Sequence, residues 1–347
     1  MSVAILSALK GRWEPVIHIV VRVLPASWPL CGEKSWPAVG LAPYRQGRKL
    51  TMANSHFGNL GDVWKHLVLA EVLEREPPRW YAETHAGSAA YLLNREPPRE
   101  FGIWRFLAAA PRSAELARSR YYAIAGSCAS ASPATYPGSP LLAMTILGNS
   151  SSYLLCDLDP GSAADLRSWS RQLGLRHCEV AGIDGMAAVA AYLARGEGRG
   201  DGLVHVDPFE PDAAAPGGAS ALECAAGVAD SGSALVFWYA SGQDPEPDGV
   251  PARLRALTDA PLWCGEVTVV TRDASARDVR RAATPGRVGV VLAHVQPATA
   301  GACAALGQAL AEAYAGATLP AGPPASLTFT SRWLPASGGT FAEGSHG

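Results

Sequence analysis

The sequence lacks the features that mark metal-binding, disulfide-linked or membrane proteins. Its seven cysteines include no pair at C-x-x-C spacing, and several lie inside apolar stretches. We interpret them as buried thiols in a reducing compartment. No uninterrupted apolar run reaches the length of about 20 residues that a membrane-spanning helix needs. We therefore expect a cytoplasmic protein that has no metal site and does not enter a membrane.

The chain also lacks an excess of basic charge, since its formal net charge is -2. Proteins that grip nucleic acid through its phosphates usually have a basic balance, because each neutralised phosphate releases counterions. This lowers the expectation of tight nonspecific RNA binding but leaves room for a local basic patch. Six arginines could form such a patch, or they could lie on an ordinary solvated helical surface. They are Arg95, Arg99, Arg105, Arg112, Arg118 and Arg120.

The composition is that of a folded protein with a large core: 48% of the 347 residues are hydrophobic and 17% are charged. Residues 1–51 carry scattered prolines and tryptophans without a helical or strand period, which predicts a poorly ordered N-terminal extension. Met52 stands directly before a better organised segment, and we hypothesise that translation starts there. We predict one domain over residues 52–335 and a flexible tail over residues 336–347.

Strand-like and helical segments alternate along most of this domain. Apolar residues at helical spacing predict a helix over residues 62–76, and a short strand, Trp80–Glu83, follows. The next turn is expected to enter a helix containing Tyr91 and Leu92, and a helical insertion is predicted at about residues 93–135. Further strands are expected at residues 152–156, 177–181, 203–206, 235–239, 266–270 and 288–294. This alternation predicts an α/β fold with a mainly parallel sheet.

Small and acidic residues follow the first four of these strands. Ligands of open parallel sheets bind outside the carboxyl ends of the strands, so these positions are candidates for a site. Gly87 would allow a cofactor to approach the backbone, and Asp157 could accept from ribose hydroxyls. Asp184 could accept from an adenine amine, and Asp207 is followed by the aromatic ring of Phe209. Each acid alone is ordinary turn chemistry, whereas their order indicates a site for a nucleotide-like methyl donor.

A nicotinamide-dependent dehydrogenase would use the same crevice. However, the first turn lacks the G-x-G-x-x-G pattern, and no acid follows about 20 residues later as a compact βαβ unit requires. A long insertion separates Glu83 from Asp157 instead. Together with the order of the acids, this favours an enzyme that uses a nucleotide-like methyl donor over a dehydrogenase.

Three longer motifs resemble one family of such enzymes. Residues 56–66 read H-F-G-N-L-G-D-V-W-K-H and are similar to the H-x-G-N-x-x-D-V-x-K-H opening of the RlmJ-type 23S ribosomal RNA adenine methyltransferases. Residues 84–87 match the T-H-A-G turn of that family, and residues 136–140 match its Y-P-G-S-P element. The resemblance runs in order from about Ser55 to about Pro297.

The resemblance implies a Rossmann-like methyltransferase fold with a helical insertion between the first two strands. It also implies methyl transfer from S-adenosyl-L-methionine to the exocyclic amine of an adenine in 23S ribosomal RNA. By the same resemblance, Asp207 and Pro208 would be catalytic and Phe209 would stack on the base. The implied cofactor contacts are His66, His85, Ser139, Asp157, Asp184 and Gly185. Two of these have simpler alternatives, because His66 could be a surface histidine and Ser139 could be a helix N-cap.

The fourth motif departs from the family pattern, which is Asp-Pro-Pro-Tyr followed by an acid. Aligned without a gap, Phe209 replaces a proline and Glu210 replaces the stacking aromatic residue. With one residue deleted, Phe209 becomes the stacking ring, and we favour this alignment because it preserves a π-face for the base. The family also has an N-terminal tyrosine where this chain has about Thr51. A small-molecule or peptide acceptor, or a non-catalytic RNA- or protein-binding relative, therefore remains an alternative.

Overall fold

A computed structural model describes residues 56–195, 200–212, 218–241, 249–271, 286–320 and 322–334, together with an antiparallel pairing of Ile19–Val20 with Gly40–Leu41. Apart from that pairing, the predicted extension and the tail lie outside the described residues, as does the suggested start at Met52. In the part of the chain that is described, no helix combines the length and apolar character needed to cross a membrane.

The helices are α1 (Leu60–Arg75), α2 (Pro97–Arg99), α3 (Arg105–Ala109), α4 (Ala114–Arg118), α5 (Arg120–Ala129), α6 (Ser139–Leu147), α7 (Pro160–Gln172), α8 (Gly185–Ala194), α9 (Ala221–Asp230), α10 (Val250–Leu257) and α11 (Pro297–Ala313). The strands are β1 (Trp80–Glu83), β2 (Ala90–Leu92), β3 (Thr135–Pro137), β4 (Ser152–Cys156), β5 (Cys178–Ala181), β6 (Gly202–Val206), β7 (Ala234–Ser241), β8 (Leu262–Thr271), β9 (Arg287–Ala293), β10 (Ala317–Thr318) and β11 (Pro324–Leu334).

Nine of the strands form one sheet in the order β10-β11-β8-β9-β7-β6-β1-β4-β5. The five strands from β5 to β7 are parallel, and only β9 and β11 of this sheet run in the opposite direction. This confirms the predicted Rossmann-like α/β fold with a mainly parallel sheet. The register places Glu83 beside Leu155 on one side and His205 on the other. The chain therefore leaves β1, β4 and β6 at the same edge of the sheet.

Helix α1 lies in the interior of the protein rather than on its surface. Its N-cap is Asn59, whose side chain accepts a hydrogen bond from the amide of Asp62 at 3.2 Å. Every residue from Leu60 to Ala70 is buried, because α5, α6, α11 and the sheet surround the helix. His66 is only 2% exposed, so its interpretation as a surface histidine is wrong.

The segment after β1 differs from its prediction. Tyr91 and Leu92 belong to β2, which pairs antiparallel with β3, so the expected helix at this position is wrong. The amide of Gly138 donates to the carbonyl of Ala89 at 2.8 Å, and the hydroxyl of Tyr91 accepts from the amide of Ser88 at 2.8 Å. A partner strand more than 40 residues away thus overrides the local helical pattern. In the order of the chain, helices α2 to α5 come between β2 and β3.

The cysteines of the described residues are free thiols, four of them buried as predicted and two, Cys128 and Cys178, half-buried. They are Cys128, Cys156, Cys178, Cys224, Cys264 and Cys303. Within the same residues, no group of three or more histidine, cysteine or acidic side chains could hold a metal ion.

Candidate active site

The loops that follow β1, β4 and β5 stay aligned beyond the ends of the strands. The amide of Ala86 donates to the carbonyl of Cys156 at 2.9 Å, and the amide of Asp157 donates to the carbonyl of Ala181 at 3.1 Å. These bonds extend the parallel ladder into the loops. They hold several of the predicted site residues at one edge of the sheet.

Asp157 joins the first and second loops. Its Oδ2 accepts from the amide of Gly87 at 2.7 Å, and its Oδ1 accepts from the amide of Asp159 at 2.7 Å. Gly87 has a φ of +62°, a left-handed conformation that glycine adopts without steric cost. The carboxylate of Asp157 is therefore oriented by two backbone donors at the edge where a cofactor would bind.

The loop after β5 packs closely against the loop after β1. A Cβ on Gly185 would lie 2.2 Å from the carbonyl oxygen of Thr84, so only glycine allows this approach. The neighbouring Asp184 is the N-cap of α8, and its Oδ1 accepts from the amides of Met186 at 3.0 Å and Ala187 at 3.4 Å. Asp184 thus has a structural role in addition to its predicted contact with a cofactor.

Asp207 is paired with a buried lysine. The Nζ atom of Lys65 lies 2.6 Å from Oδ2 of Asp207 and 2.9 Å from Oδ1 of Asp62. The side chains of Lys65, Asp62 and Asp207 are 7%, 11% and 19% exposed, respectively. Asp62 and Lys65 are three residues apart on α1 and therefore project from the same side of the helix. The ammonium group of Lys65 therefore lies at the carboxyl end of β6.

The three charges set one another's protonation. Burial raises the pKa of Asp207, but the ammonium of Lys65 and, to a smaller extent, His205 outweigh it and hold the pKa below its ordinary value. Burial lowers the pKa of Lys65, yet the carboxylates of Asp207 and Asp62 outweigh it and raise the pKa above its ordinary value. Asp207 is therefore ionised at neutral pH, and a carboxylate in that state only accepts hydrogen bonds. Its Oδ1 has no hydrogen-bond partner among the described residues.

His66 connects two of the sequence motifs. Its Nδ1 lies 2.8 Å from the hydroxyl of Tyr136, which in turn lies 3.1 Å from the hydroxyl of Tyr121. Burial, followed by the charge of Lys65, lowers the pKa of His66 well below its ordinary value, so the ring is neutral. Its Nε2 is buried and has no hydrogen-bond partner within the described residues. The cofactor contact of His66 remains a prediction.

His85 lies among the predicted acids. Its Nδ1 is 2.8 Å from the hydroxyl oxygen of Thr84, and the charges of Asp207, Asp157 and Asp184 all act on its ring. Burial lowers its pKa, and the three carboxylates offset only part of that effect. The turn leads into β2, so the expected helix start at this position is wrong.

Ser139 does not cap a helix. The N-cap of α6 is Gly138, and the hydroxyl of Ser139 donates to Oε2 of Glu83 at 2.8 Å. Glu83 is fully buried and also accepts from the hydroxyl of Tyr81. A Cβ on Gly138 would lie 2.4 Å from the carbonyl oxygen of Ser88, so glycine is required for this element to reach the first loop. The predicted cofactor contact of Ser139 remains a prediction.

Large apolar side chains are exposed beside these acids. Leu158 follows Asp157 and is 62% exposed, and Ile183 precedes Asp184 and is 51% exposed. Phe209 is 79% exposed, and its ring centroid lies 6.4 Å from that of His56. Exposed apolar groups next to oriented polar groups are typical of a ligand site.

The interpretation of the sequence assigned no role to Lys65 or Asp62. One signal was available, because Lys65 is the only lysine after Lys49 in the chain. A second signal was the pair of opposite charges three residues apart in the first half of α1, where Val63 and Trp64 between them are apolar. Neither signal shows that the pair is buried, since this depends on the elements that surround α1.

Comparison with known proteins bears on these motifs. No family model matches the chain. Over 162 residues the chain is 32% identical to ribosomal RNA large subunit methyltransferase J of Escherichia coli (strain K12), which covers 44% of this chain and 56% of that protein. The resemblance to the RlmJ-type family is confirmed. The chain spans little more than half the length of this curated relative.

A solved structure shows the same fold. The crystal structure of protein LPL1258 from Legionella pneumophila str. Philadelphia 1 superposes with a TM-score of 0.60. The superposition covers 82% of this chain and 99% of that one, at 17% sequence identity. At this identity the likeness concerns the fold alone.

Proposed function

We propose that this protein is an S-adenosylmethionine-dependent methyltransferase that modifies the exocyclic amine of an adenine in 23S ribosomal RNA. The observation that carries the proposal is the ionised carboxylate of Asp207, which Lys65 holds at the carboxyl end of β6. The relationship to a ribosomal RNA methyltransferase supports the same reaction and the same class of acceptor. A ribosomal RNA acceptor also implies a cytoplasmic location.

The residues at the sheet edge fit the cofactor. Asp157 is an oriented acceptor suited to ribose hydroxyls, and the exposed side chains of Leu158 and Ile183 flank the acids as apolar walls for an adenine ring. When bound there, S-adenosylmethionine would supply an electrophilic methyl group on its sulfonium. The further contacts proposed for this cofactor are His66, His85, Ser139, Asp184 and Gly185.

The acceptor amine is a weak nucleophile because its lone pair is delocalised into the adenine ring. Groups that accept its hydrogens localise the lone pair and raise its reactivity. We assign this work to Oδ1 of Asp207 and to the backbone carbonyl at the turn into Pro208. Lys65 contributes by holding Oδ2, which fixes the carboxylate and keeps it ionised.

Phe209 would hold the base once it has left its stack. Flipping a base costs a few kcal/mol, and stacking on an aromatic ring returns about 1–3 kcal/mol. The exposure of Phe209 supports the alignment in which it replaces the stacking tyrosine of the family. Glu210 is also exposed, where the acid after the motif would lie.

The cofactor is tested by isothermal titration of the full chain with S-adenosylmethionine. We expect micromolar binding that Asp157→Ala abolishes. Asp201→Ala is the matched control, because Asp201 precedes β6 at the opposite edge of the sheet, and it should bind as the wild type does. A lack of binding at millimolar cofactor would overturn the proposal.

The acceptor is tested by transfer of labelled methyl groups to undermodified ribosomal RNA. We expect transfer by the wild type and none by Asp207→Asn, which should still bind the cofactor. Cofactor binding by the wild type without transfer to this RNA would exclude the proposed acceptor and favour a small molecule or peptide.

A further inference from the structure

The helical insertion has a charge opposite to that of the whole chain. Residues 93–135 contain six arginines and three glutamates, a formal charge of +3, although the net charge of the protein is -2. A groove of about 640 Å³ lies on this insertion. Its lining includes Arg95, Glu100, Trp104, Arg105 and Tyr122.

One wall of the groove is an arginine over an indole ring. The guanidinium carbon of Arg95 lies 4.4 Å from the ring centroid of Trp104, and Arg95 is 67% exposed. The indole is held in place because its Nε1 donates to the carbonyl of Asn94 at 2.8 Å. Arg95 is also paired with Glu100 at 3.1 Å. Glu100 balances the charge of Arg95, and the guanidinium remains exposed to solvent beside the indole.

Another wall carries a cation without a counter-charge. Arg105 is half-buried, and it forms no ion pair with an acid of the described residues. Its Nε is buried and has no hydrogen-bond partner among those residues, although its guanidinium lies 5.2 Å from the ring centroid of Tyr314. Because this cation has no paired acid, an anion in the groove would find a partner in Arg105.

Residues next to the groove approach the candidate active site through Arg99 and Phe57. The guanidinium of Arg99 donates to the side chain of Asn94 at 2.9 Å and lies 3.9 Å from the ring centroid of Phe57. His56, the residue before Phe57, contacts the ring of Phe209. An RNA strand whose base reaches Phe209 therefore has the insertion as its neighbour.

We propose that this groove binds the single-stranded RNA that flanks the acceptor base, an inference that rests on the proposed function. A base stacks on the platform of Arg95 and Trp104, since RNA bases stack on aromatic rings and guanidinium planes alike. The adjoining phosphate pairs with Arg105, which supplies the missing anion. The groove thereby orients the strand before the acceptor base enters the site.

The test is fluorescence anisotropy of the full chain with a short labelled RNA of uridines carrying one central adenine. We expect Arg95→Glu and Arg105→Gln each to weaken binding by about tenfold, within the range for loss of one stacked base or one phosphate contact. Arg118→Glu is the matched control, because Arg118 is 75% exposed on the same insertion, pairs with one glutamate and lies outside the groove lining. Its affinity should stay within about twofold of the wild type.

Melting temperature and cofactor titration show that each variant is folded. The proposal that the groove binds RNA would be overturned if the wild type failed to bind the RNA. It would also be overturned if Arg95→Glu and Arg118→Glu lost equal affinity. Methyl transfer to ribosomal RNA with unchanged kcat/KM in Arg95→Glu would also overturn it while leaving the proposed function intact. Groove-dependent RNA binding without any methyl transfer would support the groove and reject the proposed function.

Discussion

Replacing Lys65 with methionine isolates the energetic role of the buried ion triad. Methionine fills most of the same volume but removes the ammonium that lies between Asp62 and Asp207. The two carboxylates then lie near each other in a poorly solvated site without a counter-charge. The substitution therefore tests electrostatics with little change in packing.

The size of the effect follows from the burial of the three side chains. Removing one partner of a buried ion pair costs about 3–5 kcal/mol, because the other charge is left uncompensated. Asp207 is 19% exposed and Asp62 is 11% exposed, so water screens part of that charge. We therefore expect a loss near the lower end, about 3 kcal/mol, which corresponds to a fall in Tm of roughly 6 °C for a domain of this size.

The loss should depend on pH in a defined direction. Without Lys65 the pKa of Asp207 rises above its ordinary value, and a carboxyl with a raised pKa loses stability as the pH rises through that value. The difference between wild type and Lys65→Met should therefore shrink as the pH falls from 8 to 5. The double variant Lys65→Met/Asp207→Asn removes one of the stranded charges and should recover at least half of the lost stability.

The assay is thermal and urea unfolding of the wild type, both variants and Arg79→Met at several pH values. Arg79 is a long cation that is 85% exposed, so its substitution should leave Tm unchanged. The reasoning is refuted if Lys65→Met is as stable as the wild type at neutral pH. It is equally refuted if the double variant is less stable than Lys65→Met, since relief of the stranded charge would then be absent.

Three further predictions concern single residues. Phe209→Ala should lower kcat/KM for methyl transfer to ribosomal RNA about tenfold without a change in Tm, because the exposed ring stacks on the base. Phe209→Trp should retain activity, and a kcat/KM in Phe209→Ala equal to that of the wild type would contradict stacking. Burial raises the pKa of Asp165 from 3.8 to about 6, so part of the free energy of unfolding of the wild type should be lost as the pH rises between these two values. Urea titrations at several pH values should show that Asp165→Asn lacks this pH-dependent part. Gly185→Ala should destabilise the fold by about 1–3 kcal/mol and weaken cofactor binding, because its Cβ would meet the backbone of Thr84. Gly301→Ala has open space around the new Cβ and should do neither, so equal melting temperatures for the two variants would contradict this prediction.

Much of the sheet could be predicted because its strands carry a local signal. The runs at residues 152–156 and 203–206 are short and largely apolar, and both are strands in the parallel part of the sheet. The edge at which the acids meet also follows from the sequence, since parallel strands end at a common side. Asp157 and Gly185 lie at that edge for this reason.

The errors arose where a distant partner decides the local conformation. Leu92 lies in a strand because it pairs with Thr135, and no periodicity in its own neighbourhood contains that information. The hydroxyl of Ser139 donates to Glu83 rather than capping its own helix, and the two residues are 56 positions apart in the chain.

The sequence alone determined the strands in the parallel part of the sheet, the chemical groups at their ends and the motifs shared with a methyltransferase family. Local propensity and spacing are sufficient for these features, because each depends on residues that are close together in the chain. Only the tertiary structure decided that Lys65 joins Asp62 to Asp207, that His66 is neutral and bonded to Tyr136, and that Asp207 is ionised. Burial and the distance between charges set these properties, and both depend on residues that packing brings together from distant parts of the chain.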